Sequence, residues 1–264
     1  MNASIFRKCP YLLHATLIAA VVGVLTVPCA FAQTIINDSF NSYTDDASLI
    51  AVWSRVSGTS SSIFLAPDPS DASNQTIEQT TAAGRLRRVI SGGIVPTAGE
   101  PVIFSFDLYD TTGGTNSGRV YGELRNSAVA DGLLAAGIYN SVNDGIYDQT
   151  KYQARDVDDG GWIQLDAIRS FGWHNFRFEI TGNSVDLYVD NILDPNFNDR
   201  AINSVMNYDW IDIGSALSGN TMAYFDNVNV AIVQGPVPEP STMLLLGSGL
   251  IGLAGYGRRK FFKK

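Results

Sequence analysis

The chain has 264 residues, 45% of them hydrophobic, with 26 acidic against 18 basic side chains, two Cys and two His. That apolar content can build a packed core and excludes a disordered chain. A formal charge of −8 argues against nucleic-acid binding, which needs clustered Lys and Arg on phosphates, and two Cys are too few for a disulfide scaffold or a Cys-rich zinc protein.

The averages hide an asymmetry. Seven basic residues lie at the two ends: Arg7, Lys8, Arg258, Arg259, Lys260, Lys263 and Lys264. At the N-terminus, Arg7-Lys8 precede an apolar run from Tyr11 to Val27 and then Ala30-Phe31-Ala32. This is the pattern of a secretory signal peptide over residues 1–32, cleaved before Gln33, and it makes the chain a substrate of the Sec export machinery. Both Cys, Cys9 and Cys29, lie in this segment.

The body, residues 33–235, holds 25 acidic and 11 basic residues, a formal charge of −14, with no Cys and one His, His174. Period-two alternation recurs along it. Candidate strands, in order, are Ala51–Val56, Ser62–Ala66, Thr76–Thr80, Leu86–Ser91, Val102–Leu108, Arg119–Arg125, Leu133–Tyr139, Lys151–Arg155, Trp162–Asp166, Trp173–Ile180, Val185–Val189, Asp209–Gly214 and Met222–Val233. Val102, Phe104, Phe106 and Leu108 share one face, as do Val120, Gly122 and Leu124. Thr181-Gly182-Asn183-Ser184 reads as a tight hairpin whose Gly-Asn supplies positive φ. Ser127–Ala136 is the best short helix candidate, weakened by Gly132. A dozen or more strands between Gly/Asn/Asp/Ser turns predict an all-β sandwich of two antiparallel sheets.

The C-terminus, residues 236–264, reads Pro236-Val237-Pro238-Glu239-Pro240, then an apolar stretch Met243–Tyr256, then RRKFFKK. That stretch, at about 1.5 Å rise per residue, is short for a bilayer core of about 30 Å, and the basic tail keeps its end in the cytoplasm. Tetrapeptide, apolar helix and terminal basic residues together resemble the PEP-CTERM sorting signal of Gram-negative bacteria. The resemblance implies that an exosortase, a membrane transpeptidase, recognises Val237, Pro238, Glu239 and Pro240. It further implies an inner-membrane intermediate held by the C-terminal helix, and then delivery to the cell surface or extracellular matrix. A second resemblance covers the body: GWHNFRFEITGNSVDLYVD, the closing FDNVNV and the opening NDSFNSY look like strands of concanavalin-A-like and laminin-G-like jelly rolls. It implies that first and last strands pair.

Several chemistries are disfavoured. Jelly-roll glycosidases carry two glutamates on one strand, whereas Glu78, Glu100, Glu123 and Glu179 are far apart in sequence. A serine triad would have to use His174, which alternates with Phe176, Phe178 and Ile180 on an inward face and reads as structural. No nucleophile elbow, Walker loop or dinucleotide fingerprint is present. Calcium suits an Asp/Asn-rich chain; candidate ligands are Asp38 with Asp226 and Asn227, if the end strands meet, and the loop Asp156–Gly161, for which a solvated acidic turn competes. The candidate glycan face is the outward side of a Val102–Asp110/Arg119–Asn126 hairpin: Asp107, Tyr109, Arg119, Tyr121, Glu123 and Arg125, extended by Tyr147, Tyr152, Arg155 and Trp162. Aromatic faces stack on sugar C–H patches and charged groups bind hydroxyls; cross-strand ion pairs are the competing reading. The expectation is a non-catalytic surface or matrix protein that binds extracellular polysaccharide or serves adhesion. A jelly-roll hydrolase or lyase and a purely structural surface protein are the alternatives.

Overall fold

The computed structural model describes residues 31–129, 133–140, 148–156, 158, 161–202, 206–234 and 248–249. The predicted signal peptide and the sorting segment lie outside these residues, apart from 31–32 and 248–249. Among the described residues no helix is long and apolar enough to cross a membrane.

The compact unit Phe31–Gly235 is all-β. Its strands are β1 (Phe31–Asp38), β2 (Ser54–Ser57), β3 (Ile63–Pro67), β4 (Gln75–Gln79), β5 (Gly84–Ile94), β6 (Val102–Asp110), β7 (Gly118–Arg125) and β8 (Leu133–Asn140). They continue as β9 (Lys151–Arg155), β10 (Ile163–Ile168), β11 (Gly172–Thr181), β12 (Ser184–Val189), β13 (Ile192–Leu193), β14 (Arg200–Ala201), β15 (Tyr208–Ser215) and β16 (Ala223–Gln234). Among the described residues a short α-helix, α1 (Asp46–Ile50), and a 3-10 turn at Pro195–Phe197 interrupt them. The first sheet runs β13-β12-β11-β6-β16-β4-β3, with β1 added on β16 and β14 on β12; the second runs β10-β9-β8-β7-β15-β5-β2. All pairs are antiparallel, and β1 pairs β16 as the jelly-roll resemblance implies, with Asp38 opposite Val228.

The alternation places the core. Val102, Phe104, Phe106 and Leu108 of β6 are fully buried with Phe176, Phe178 and Phe225. Phe104 stacks on Phe178 at 6.1 Å and Phe106 on Phe176 at 5.4 Å between ring centroids. From the second sheet Gly122 meets this layer; a Cβ there would come within 2.6 Å of the Phe106 ring, so only glycine lets the sheets approach at that point.

Three local expectations are corrected. Ala51–Val56 is strand only from Ser54, because Asp45 and Ser48 form a reciprocal capping box that starts α1. Leu133–Ala136 belong to strand β8, as the Leu133–Tyr139 strand reading expects, paired to β7 along its length, so the alternative short helix does not extend over them. In the Thr181–Ser184 turn only Gly182 takes positive φ, at 57°, which fits a two-residue hairpin turn with glycine first.

The larger correction concerns β6 and β7, which form no hairpin. Both edges of β6 are taken, by β11 and β16, and both edges of β7 by β8 and β15, so the link between them crosses from sheet to sheet. Asp110 organises that crossing. Its carboxylate accepts from the N–H groups of Thr112 and Gly113 at 2.8 and 2.9 Å and from Arg169 Nε and Nη2 at 2.8 and 3.1 Å. Arg169 Nη1 donates in turn to the carbonyls of Asn116 and Gln149. Burial by itself raises the Asp110 carboxyl, but Arg169 and the two N–H groups hold it below the usual carboxylate range.

Candidate functional site

The split between sheets divides the six predicted glycan-face residues. Asp107 and Tyr109 face outward from the first sheet, whereas Arg119, Tyr121, Glu123 and Arg125 face outward from the second. They cannot form one surface, because the two outward faces lie on opposite sides of the sandwich. Period-two alternation shows which side of a strand is apolar but not which strand is its neighbour.

The outer face of the second sheet is the richer of the two. Register places Asp212 opposite Glu123 and Arg87, and Trp210 opposite Arg125. Arg87 grips Asp212 with both edges of its fork, Nε to Oδ1 at 2.6 Å and Nη2 to Oδ2 at 2.7 Å, while its guanidinium lies 3.5 Å above the Trp210 ring. Arg125 Nη1 donates to Glu123 Oε2 at 3.1 Å, and Arg85 Nη1 lies 3.5 Å from Asp212 and 3.8 Å from Glu123. Both carboxylates are buried beneath this triplet, at 4% and 0% side-chain exposure. Burial pushes the Glu123 carboxyl up, Asp212 beside it adds to the rise, and Arg85 and Arg125 oppose it.

Beside the arginines lies an aromatic platform. The rings of Tyr139 and Trp162 stack at 4.2 Å and 9°, and Tyr121 packs against both, at 6.1 and 4.9 Å. Leu133 and Ala135 complete this small cluster on the outer side of β7 and β8. Arg119 sits 5.2 Å over the Tyr139 ring and donates to the Ser218 carbonyl. Arg155, opposite Ala135, points to the same side. Tyr152, in contrast, is fully buried in the core against Phe176 and does not extend the face; Tyr147 lies outside the described residues. Arg85, Arg87, Tyr139, Trp210 and Asp212 join this face beyond the residues expected from the sequence. The signal was present: Arg85 and Arg87 flank the buried Leu86, and Trp210 and Asp212 alternate with the buried Ile211 and Ile213.

The outer face of the first sheet is acidic. Asp107 accepts from the side-chain amides of Asn175 and Asn227 at 2.7 and 2.8 Å. Asp226, opposite Asp107, accepts from Asn74 at 2.9 Å. Tyr109 packs edge-on against Phe171, Trp173 and Tyr224, and Trp173 Nε1 points to Asp68 and Ser70. Burial first, and then Asp107 and Asp68, push the Asp226 carboxyl up to about 6. A raised carboxyl means the folded state holds the proton more tightly, so this group adds stability as pH falls from about 6 toward about 4 and loses it as pH rises. Asp226→Asn is therefore expected to gain about 1 kcal/mol relative to wild type on going from pH 4.5 to pH 7, read by urea unfolding at both pH values. An equal difference at both contradicts it.

The calcium pair is not assembled. Asp38 shares the inward side of β1 with Ile36, while Asp226 faces outward beside Asp107. The Asp38 oxygens are already engaged by the Phe40 N–H at 3.0 Å, the Tyr43 hydroxyl at 2.7 Å, Trp53 Nε1 at 2.9 Å and Arg88 at 2.5 Å. Three of these donors, one of them a guanidinium, converge on Oδ2, so the carboxylate is held as a structural anchor beneath β1. Among the described residues no group of three or more His, Cys, Asp or Glu is placed to hold a metal. In the second candidate loop Asp156 pairs with Arg200, and 157, 159 and 160 lie outside the described residues.

His174 joins Ser170 and Asp190 in a chain that resembles a triad on distance alone. Nδ1 lies 2.8 Å from Asp190 Oδ2, and Nε2 lies 3.1 Å from Ser170 Oγ. Nε2 is also 2.9 Å from the Ser170 carbonyl, so the ring is held by the backbone of that turn as well as by its hydroxyl. The histidine ties the turn before β11 to the turn after β12.

Residues 236–260 match the PEP-CTERM protein-sorting motif. No curated protein matches the sequence. Among solved structures, the globular domain of T. cruzi calreticulin is 12% identical over 81% of this chain and 92% of its own, with a TM-score of 0.49. A conserved carbohydrate esterase from the Shiga toxin-encoding bacteriophage phi24B is 12% identical over 78% of this chain and 100% of its own, at 0.50. A sialidase is 11% identical over 79% of this chain but only 19% of its own, at 0.50. At such identities the likeness is one of fold: a two-sheet sandwich of jelly-roll and lectin type. The sorting motif carries the other conclusion, that the protein is exported, processed by an exosortase at the membrane and destined for the exterior.

Proposed function

We propose that this exported, exosortase-processed protein is a non-catalytic glycan-binding protein of a Gram-negative cell surface or extracellular matrix, and that it binds through the outer face of its second sheet. The observation that carries this reading is the partly exposed Tyr139–Trp162 pair, backed by the buried Tyr121 and set among five arginines. Flat aromatic rings accept the apolar faces of sugar rings, and guanidiniums donate to their oxygens. Two of the structural neighbours, a carbohydrate esterase and a sialidase, belong to carbohydrate chemistry.

An enzymatic reading draws on Glu123 and Asp212, two carboxylates opposite each other on β7 and β15, one with a raised carboxyl. Access weighs against it: a general acid must reach the glycosidic oxygen, and both groups are sealed under Arg85, Arg87 and Arg125. A glycan array probed with the mature exported protein, in calcium and in EDTA, tests the proposal. Binding to one or more glycans without release of reducing ends is the expected result. Turnover abolished by Glu123→Gln overturns the non-catalytic reading, and an empty array in both buffers leaves a purely structural surface protein.

A further inference from the structure

Resting on the binding face proposed above, we propose that its ligand is an acidic polysaccharide, held by carboxylates of the polymer against the arginines. The body is strongly acidic, yet five of its 11 basic residues, Arg85, Arg87, Arg119, Arg125 and Arg155, stand on this one face. The opposite outer face carries Glu78, Asp107, Glu179, Asp186 and Asp226, with Arg177 paired to Glu179 among them. An anionic chain is therefore repelled by most of the molecule and admitted on one side. All five are arginine, the side chain whose planar fork matches a carboxylate with two parallel hydrogen bonds.

The arginines are also held in place. Arg87 is fixed between Trp210 and Asp212 with its Nε and Nη2 engaged, which aims its third nitrogen away from the buried acid. Three guanidiniums, those of Arg85, Arg87 and Arg125, converge on two carboxylates, so Glu123 and Asp212 anchor the group without matching its charge. Side-chain entropy that would oppose binding has been spent in folding.

The test uses the mature exported protein in EDTA, run through gels containing polygalacturonate, dextran sulfate or neutral dextran, at 20 and 200 mM NaCl as order-of-magnitude low and moderate salt. Strong retardation by polygalacturonate, weakened about tenfold at the higher salt and again about tenfold in Arg119→Gln/Arg155→Gln, is the expected result. That pair leaves Glu123 and Asp212 with their own partners, and an unchanged melting temperature confirms that the variant folds. Retardation by neutral dextran alone, insensitive to salt, overturns the acidic ligand and leaves glycan binding intact. Dextran sulfate matching or exceeding polygalacturonate overturns the carboxylate assignment. Retardation by none of the three, alongside an empty array, removes the binding face and this inference with it. Salt-sensitive light scattering without polymer, abolished in the same variant, assigns the arginines to a second copy of the chain and likewise overturns it.

Discussion

Asp110→Ala is expected to lower the unfolding free energy of the mature protein by about 3–5 kcal/mol. The change strands Arg169, whose side chain is wholly buried, together with the Thr112 and Gly113 N–H groups that the carboxylate now satisfies. An unpaired buried guanidinium is among the most expensive defects a core can hold. The crossing between the sheets depends on the same residue, so the loss falls on the junction that joins them. Replacing both partners by apolar residues, as in Asp110→Leu/Arg169→Met, should cost less than Asp110→Ala alone, since no charge is then left uncompensated. Because the Asp110 carboxyl is depressed in the folded protein, its contribution is complete above the ordinary carboxylate range of about 4 and is lost as pH falls through its lowered folded value. Urea unfolding at pH 7 measures the first effect, and acid titration of wild type and variant the second. A loss under about 1 kcal/mol at pH 7 contradicts the anchoring role.

Deleting Pro238–Pro240 is expected to abolish delivery to the exterior. These three residues lie at the start of the matched sorting motif, the element that implies processing by an exosortase. Without the motif the protein should be exported by its signal peptide and remain in the inner-membrane fraction at full length. Fractionation and immunoblotting against the body measure this. Normal surface delivery of the deletion contradicts processing at this motif.

The strands were largely legible and their assembly was not. β3, β4, β6, β7, β8, β9, β10, β11, β12, β15 and β16 lie within a residue or two of the candidate strands, because alternation records burial on one side and every strand of a sandwich buries one side. α1 was hidden, since its helical start rests on a capping box at Asp45 and Ser48 inside five residues of otherwise ambiguous sequence. The assignment of β6 and β7 to different sheets has no local trace: the link between Asp110 and Gly118 is long enough for a hairpin, and it is Arg169, distant in sequence, that shapes it into a crossing.

The candidate site followed the same limit. Tyr121, Glu123 and Arg125 could be named from their own strand, but Trp210, Asp212, Arg85 and Arg87 become their neighbours only through pairing with β15 and β5. Asp38 shows the converse. Its place opposite the last strand agrees with the jelly-roll resemblance, yet its hydrogen bonds to Tyr43, Trp53 and Arg88 make it a structural anchor, and only three-dimensional contacts reveal those donors.

Whether the outer face of the second sheet binds polysaccharide can be read from affinity electrophoresis of wild type, Trp162→Ala and Trp173→Ala in a polysaccharide that the array returns. The two tryptophans sit on opposite outer faces, one stacked on Tyr139 and the other packed on Tyr109. Retardation lost in Trp162→Ala and kept in Trp173→Ala is the predicted result. Retardation kept in Trp162→Ala and lost in Trp173→Ala places binding on the acidic face and contradicts it.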